Sequence, residues 1–301
     1  MKLEGLLKKS FGSAKACFRD FLISDNGMGR KLIFLLLLLF YPILTQGAFD
    51  NCSTSAKALS LGQASVALGD EASVISTNPG GLGFFKKIGF QASLSRLFDL
   101  DELSEKEFYL VYPFKSFSLG GGTYIFGKTN YYQEMVLTLA LGYKLKDYLS
   151  FGSNLKYMRV SFSPTYKALS ALGADFGAIF KFDDKVQFGM VIKNFNQPKL
   201  PDNSDDILTI FSSGIAVFPF EEVTLTFDFS YDNIYKGQLH FGQEVKLIKN
   251  LPLRFGIQTS PARFAFGVGF DFEKMNVDYA YLNHPVLGGS HKLSLSFSWE
   301  K

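Results

Sequence analysis

The residues best equipped for chemistry in this 301-residue chain are few. The only histidines are His240, His284 and His291, and none stands at metal-ligand spacing from another ligand type. His240 and Glu244 share one phase of a segment, but four extended residues put them about 13 Å apart, too far for one ion or one proton relay. His291 has Ser290 and Ser294 for neighbours. A serine hydrolase needs Ser, His and an orienting group on one face. Serine is common here, and a solvated loop-end histidine is the simpler reading. Gly120-Gly121-Gly122 and Gly267-x-Gly269 precede no helix, so they are not phosphate cradles. These residues predict no catalysis, no metal and no cofactor.

A second set is charged. Lys156, Asp175, Asp228, Glu244 and Arg254 lie in otherwise apolar segments and occupy the same phase as many glycines. Such residues could line a pathway or hold a polar head group. More often they pair with one another and hold an inner segment in place.

The elements that carry these charges alternate with period two. Met135, Leu137, Leu139, Leu141 and Tyr143 interleave with Val136, Thr138, Ala140, Gly142 and Lys144. Val223, Leu225, Phe227, Phe229 and Tyr231 interleave with Thr224, Thr226, Asp228 and Ser230. Strand side chains point alternately to opposite faces, so each segment has one apolar face and one small or polar face. Strands are expected at 87–97, 106–115, 116–127, 134–145, 149–160, 170–182, 186–194, 207–219, 223–231, 238–247, 252–260, 263–272, 276–282 and 291–299. The fold class is an all-β membrane protein, an antiparallel transmembrane β-barrel of about fourteen strands. The apolar phase carries no charge at strand centres, as a lipid-facing surface requires, because Lys or Arg there costs about 2–4 kcal/mol. Short connections such as Lys146-Asp147, Glu221-Glu222 and Lys249-Asn250 alternate with longer ones such as 99–105, 162–169 and 195–206. Aromatics near strand ends, Tyr109, Tyr112, Tyr143, Tyr231, Tyr235 and Trp299 among them, suit interfacial girdles.

Residues 48–86 do not alternate. They are rich in small residues and broken by Gly and Pro, with too little apolar surface to fold alone. They are expected as a plug inside the barrel formed by 87–301. Upstream, Gly29-Arg30-Lys31, the apolar run Leu32–Leu44 and Thr45-Gln46-Gly47 read as a secretory leader over 1–47, with Met28 as an alternative start. Of 31 Lys and Arg, seven precede residue 48, and of 28 Asp and Glu, three do, leaving 24 against 25. The alkaline balance therefore belongs to the leader, there is no basic stripe, and nucleic acid is not an expected partner. Cys17 falls in the leader, and Cys52 has no partner for an internal disulfide. The residues before Cys52 are not those of a lipidation site.

The run Ser55-Ala-Lys-Ala-Leu-Ser-Leu-Gly62, Ala67-Leu-Gly-Asp70 and Asn78-Pro79-Gly80-Gly81-Leu82 resembles the N-terminal signature of the PorV/PorQ family. That family is itself similar to FadL-type long-chain fatty acid transporters. Val277-Asp-Tyr-Ala-Tyr281 and Leu287-Gly-Gly-Ser-His291 resemble its last hairpin. Where such hatches carry Asn-Pro-Ala-Gly-Leu, this chain has Gly80 for Ala. The resemblance implies an outer-membrane location in a diderm bacterium, fourteen strands and an N-terminal hatch. It implies passage of a small hydrophobic ligand, with outer-membrane lipid around the wall and gating near Asn78–Leu82. An alternative role is a secretion accessory that holds exported cargo protein. FadL-type barrels open sideways at a kinked third strand, and Gly120, Gly121 and Gly122 fall where that kink would be. They could equally make room for the hatch.

Overall fold

The computed structural model describes residues 48–49, 54–129, 131–162, 166–201, 207–232 and 236–300. Residues 1–47, where a leader is expected, and Cys52 lie outside the described residues. Fourteen strands form one closed wall. They are β1 (Ile88–Arg96), β2 (Ser104–Pro113), β3 (Phe117–Lys128), β4 (Tyr132–Lys146), β5 (Leu149–Ser161), β6 (Leu169–Lys181) and β7 (Val186–Lys193). There follow β8 (Ile210–Phe220), β9 (Val223–Asp232), β10 (Lys236–Ile248), β11 (Leu251–Gln258), β12 (Arg263–Asp271), β13 (Met275–His284) and β14 (Gly288–Trp299). Each pairs antiparallel with its chain neighbours, and β1 closes on β14 from Ile88↔Trp299 to Arg96↔His291. The alternation read from the sequence thus becomes a wall without edges, which satisfies every ladder.

The largest boundary differences are instructive. β8 begins at Ile210 rather than 207, because Asn194 and Thr209 tie the preceding residues by side-chain hydrogen bonds instead of a ladder. β14 begins at Gly288 rather than 291, and β3 and β4 run to Lys128 and from Tyr132, so strand consumes what the sequence suggested was loop. The sorting of connections by length is accordingly weaker than expected. It holds for 97–103, 162–168 and 194–209, while 285–287 is no longer than the 114–116 and 272–274 turns on the other side.

The outer face is apolar. Leu139 is 70% exposed, and Leu137, Leu141, Phe227, Phe266 and Leu293 also point outward into solvent-accessible space. The outward cations Lys106 and Arg159 sit near strand ends on the side of the long 97–103 and 162–168 connections. Tyr109 departs from the expected girdle: it lies mid-strand, faces inward and packs with Ile75 and Val111.

Segment 54–86 runs around the inside of this wall. Ser55 caps α1 (Ala56–Ser60) by accepting from the Ala58 amide. Ala56 and Leu59 of α1 pack on Ala265, Ala280 and Leu282 of β12 and β13. The chain then passes β10–β11 at Gly62 and β7 at Val66, forms α2 (Val74–Thr77), and enters a 3₁₀ turn, Pro79–Phe84, beneath β4–β6. Helices this short do not persist alone in water, so the wall holds them. No described helix is long and apolar enough to cross a membrane. The glycines of the inner phase explain the fit: at Gly142, Gly152, Gly177, Gly189 and Gly256 a Cβ would overlap atoms of this segment, mostly backbone. Ser294 on β14 serves two neighbours. Its Oγ accepts from the Ala56 amide at 2.8 Å and lies 2.8 Å from Ser93 Oγ across the β1–β14 seam.

Candidate ligand cavity and gate

Asn78 anchors the turn that the sequence marked. It is fully buried, and its Nδ2 donates to the Val66 carbonyl at 2.7 Å and to the Ala178 carbonyl of β6 at 3.1 Å. Its Oδ1 accepts from the Gly80 amide at 3.0 Å and so caps the 3₁₀ turn, with Pro79 preset at its first position. Ser150 of β5 donates to the Gly80 carbonyl at 2.6 Å. Gly80 and Gly81 lie against Ala178 and Val74 respectively, and Leu82 is buried in the cluster with Ile75 and Tyr109.

Gly120, Gly121 and Gly122 sit in an unbroken ladder. β3 pairs with β2 and β4 through all three without a register shift, so no bulge interrupts the wall there. A Cβ at Gly120 would lie 2.8 Å from Ile75 Cδ1, and one at Gly122 would run into the Tyr109 ring. Gly121 faces outward in ordinary contact distance of the Thr138 carbonyl.

The inner charges form separate groups rather than one constellation. Lys156 pairs with Asp175 at 2.6 Å on β5 and β6. On β10, β11 and β13, Arg254 bridges Glu244 and Asp278, both at 2.5 Å. Asp228 on β9 accepts from the Val66 amide at 2.8 Å and thereby grips the inner segment. Lys57 of α1 pairs with Asp70. Burial alone would lower its pKa, but Asp70, Glu244 and Glu71 around it hold it above the ordinary lysine range. A further group was missed by the sequence reading. Lys292 of β14 reaches past β1 to Glu105 at 3.2 Å and Glu107 at 2.5 Å on β2, all buried. Lys292 shares the phase of Ser290 and Ser294, but its partners lie two strands away and only the barrel closure joins them.

The histidines do not assemble a site. His240 Nδ1 meets the Gly62 carbonyl at 2.8 Å, and His284 Nδ1 accepts from the Val286 and Leu287 amides. His291 contacts Tyr279 and Tyr281, while Ser290 and Ser294 point to the opposite, buried face. Among the described residues, no cluster of His, Cys, Asp or Glu fits a metal ion.

A cavity of about 80 Å³ lies between the inner segment and β2–β8. Ile75, Tyr109, Tyr124, Val136, Met158 and Ile210 give it an apolar wall, with Phe49 alongside. Asn154, Lys156, Asp175, Lys193 and Asn194 make one polar side. A few well-placed polar groups on an apolar lining is the usual make-up of a small-molecule site.

No family model matches the sequence, and no curated protein matches it. Solved structures do. The CymD monoaromatic hydrocarbon channel aligns with a TM-score of 0.61 at 14% identity, over 84% of this chain and 100% of that one. The Pseudomonas putida toluene transporter TodX aligns with a TM-score of 0.61 at 13% identity, over 84% and 99%. This chain has the FadL-like barrel fold. A FadL homologue of Pseudomonas aeruginosa matches likewise, with a TM-score of 0.61 at 13% identity over 82% and 98% of the two chains. At these identities the likeness speaks for the fold of the FadL-like barrel and not for its cargo. The PorV/PorQ resemblance stays with the sequence motifs that carried it.

Proposed function

We propose that the protein is an outer-membrane channel for small hydrophobic compounds, with segment 48–86 as its hatch. The observation that carries this reading is the inside-out distribution of side chains. An apolar belt with Leu139, Phe266 and Leu293 at its surface needs an apolar solvent, since soluble monomers rarely expose more than a few hundred Å² of contiguous apolar surface. The lumen is closed by a segment held through hydrogen bonds and close backbone contact, and a cavity with a largely apolar wall lies against it. The ligand enters from the side of the long connections, occupies that cavity and passes when the Asn78–Leu82 turn shifts. The names of the CymD and TodX neighbours, a monoaromatic hydrocarbon channel and a toluene transporter, support the same cargo class. The cargo-holding alternative relies on the 195–206 connection, of which 202–206 lie outside the described residues.

The test is extraction of the detergent-purified barrel with organic solvent followed by mass spectrometry, alongside uptake of radiolabelled toluene into proteoliposomes. A retained apolar compound and uptake above empty vesicles are expected. A processed chain that stays monodisperse in plain buffer, or vesicles no more permeable than controls, overturns the reading.

A further inference from the structure

We infer that the cavity between the inner segment and the wall selects small aromatic molecules that carry a hydrogen-bond donor, of the phenol or aniline class, over plain hydrocarbons of the same shape. This rests on the channel reading and names its substrate class. Two buried amides carry it. Asn154 is 5% exposed, and its Nδ2 donates to the Ile75 carbonyl at 2.7 Å and to Asp175 Oδ2 at 3.0 Å. Both partners are acceptors, so the orientation of the amide is dictated and its Oδ1 must be the oxygen. That Oδ1 is buried and has no hydrogen-bond partner. Asn194 repeats the arrangement. It is 6% exposed, its Nδ2 donates to the Leu208 carbonyl at 2.7 Å, and its buried Oδ1 also has no partner. Both side chains line the same cavity.

Three of the donors nearest the two oxygens converge on Asp175 instead. Asp175 takes the Asn194 backbone amide, the Asn154 amide nitrogen and Lys156, so none of these three donors serves the two oxygens. A buried acceptor without a donor is costly, and a ligand that brings an O–H or N–H recovers that cost while a hydrocarbon does not. The remaining lining, with Tyr109, Tyr124, Val136 and Met158, suits the ring. Size adds a condition. An apolar cavity of about 150 Å³ admits benzene. The present space of about 80 Å³ is roughly half of that, so a ring enters only as Ile75 and Ser76 of the hatch yield. Binding and hatch movement are therefore coupled at α2, whose Ile75 carbonyl is the very acceptor that Asn154 holds.

Phenol and toluene differ by O–H against CH₃ at nearly constant shape, which permits a test on the unaltered full-length processed chain. Calorimetric titration of the detergent-purified protein with toluene, phenol and benzoate gives three affinities, each referred to that compound's partition into the micelle. Phenol is expected to bind about tenfold or more tightly than toluene, the fold-change of one satisfied buried hydrogen bond. Asn154→Leu removes one of the two oxygens and should reduce the phenol-to-toluene ratio toward one, whatever it does to the affinity for both; a ratio as large as in the parent protein would also overturn the inference. Equal affinities would mean that water already serves the two oxygens, and would overturn the inference. Benzoate binding most tightly would assign the cavity to Lys193 and overturn it too. Toluene binding without a phenol preference sinks this inference alone, whereas no binding of any of the three sinks the channel reading with it.

Discussion

Gly80 is the position at which this chain departs from the Asn-Pro-Ala-Gly-Leu pattern it resembles, and Gly80→Ala is therefore a pointed perturbation. Its backbone is outside the left-handed region, so alanine is allowed there in isolation. The obstacle is β6. A Cβ at residue 80 would lie 2.6 Å from Ala178 Cα and 2.7 Å from both its C and its N. Favourable carbon contacts start near 3.5 Å, so the turn must retreat by about 0.9 Å from a strand that cannot move without its ladder. Overpacking of this kind costs about 1–3 kcal/mol. The restriction alanine places on the undocked segment gives back about 0.4–1 kcal/mol. A net cost of about 1–2 kcal/mol raises the population with residues 78–82 undocked by about five- to thirtyfold. Hydrogen exchange over 76–86 in detergent should accelerate by that factor, and leak conductance in planar bilayers should rise in parallel. Gly121→Ala is the control. Its Cβ would meet nothing nearer than the Thr138 carbonyl at 3.7 Å, and both readouts should match the parent protein. Slower exchange at 78–82 in Gly80→Ala, or an effect as large in the control, would refute the account of how the hatch is seated.

Other perturbations test other contacts. Asn78→Ala removes the donor to the Val66 and Ala178 carbonyls and the acceptor for the Gly80 amide. A loss of about 2–4 kcal/mol of docking is expected, read as an open or noisy channel in bilayers; a silent variant would show that Asn78 does not hold the gate. Lys292→Met leaves Glu105 and Glu107 buried without their cation, at a cost of about 3–5 kcal/mol. Its temperature for conversion from folded to unfolded mobility on cold gels should fall sharply, and an unchanged temperature would count against the triad. Asp228→Leu orphans the Val66 amide for about 1–3 kcal/mol. Faster exchange is expected at Val66 while the β8–β9 and β9–β10 amides stay protected; loss of protection throughout the wall would mean that Asp228 supports the barrel instead of the hatch.

Much of the wall was legible because alternation is a local property. Each strand announces its two faces in its own few residues, and the inward phase of Lys156, Asp175, Asp228, Glu244 and Arg254 could be read one strand at a time. Pairing could not. That Arg254 joins Glu244 and Asp278, while Asp228 binds a backbone amide, depends on register across the sheet. Glycines sharing the phase of the inner charges leave room for an inner segment, but which of its residues meets which strand follows only from the path of 54–86 around the lumen. Tyr109 shows the limit of composition: a tyrosine near the middle of a strand reads as a girdle residue until its phase is weighed against Ile75. The cavity was least legible. Asn154 and Asn194 are commonplace alone and informative only when each is seen to have spent its nitrogen.

Ser294 links the closure of the wall to the seating of the segment inside it. The stitch that joins the first strand to the last also takes the amide of Ala56, so the weld of the cylinder and the seating of its stopper draw on one hydroxyl. A cylinder zipped shut while vacant would meet rows of bare glycine and an unanswered serine. Stopper and wall thus share a fastening, so that loosening either one reaches the other through Ser294.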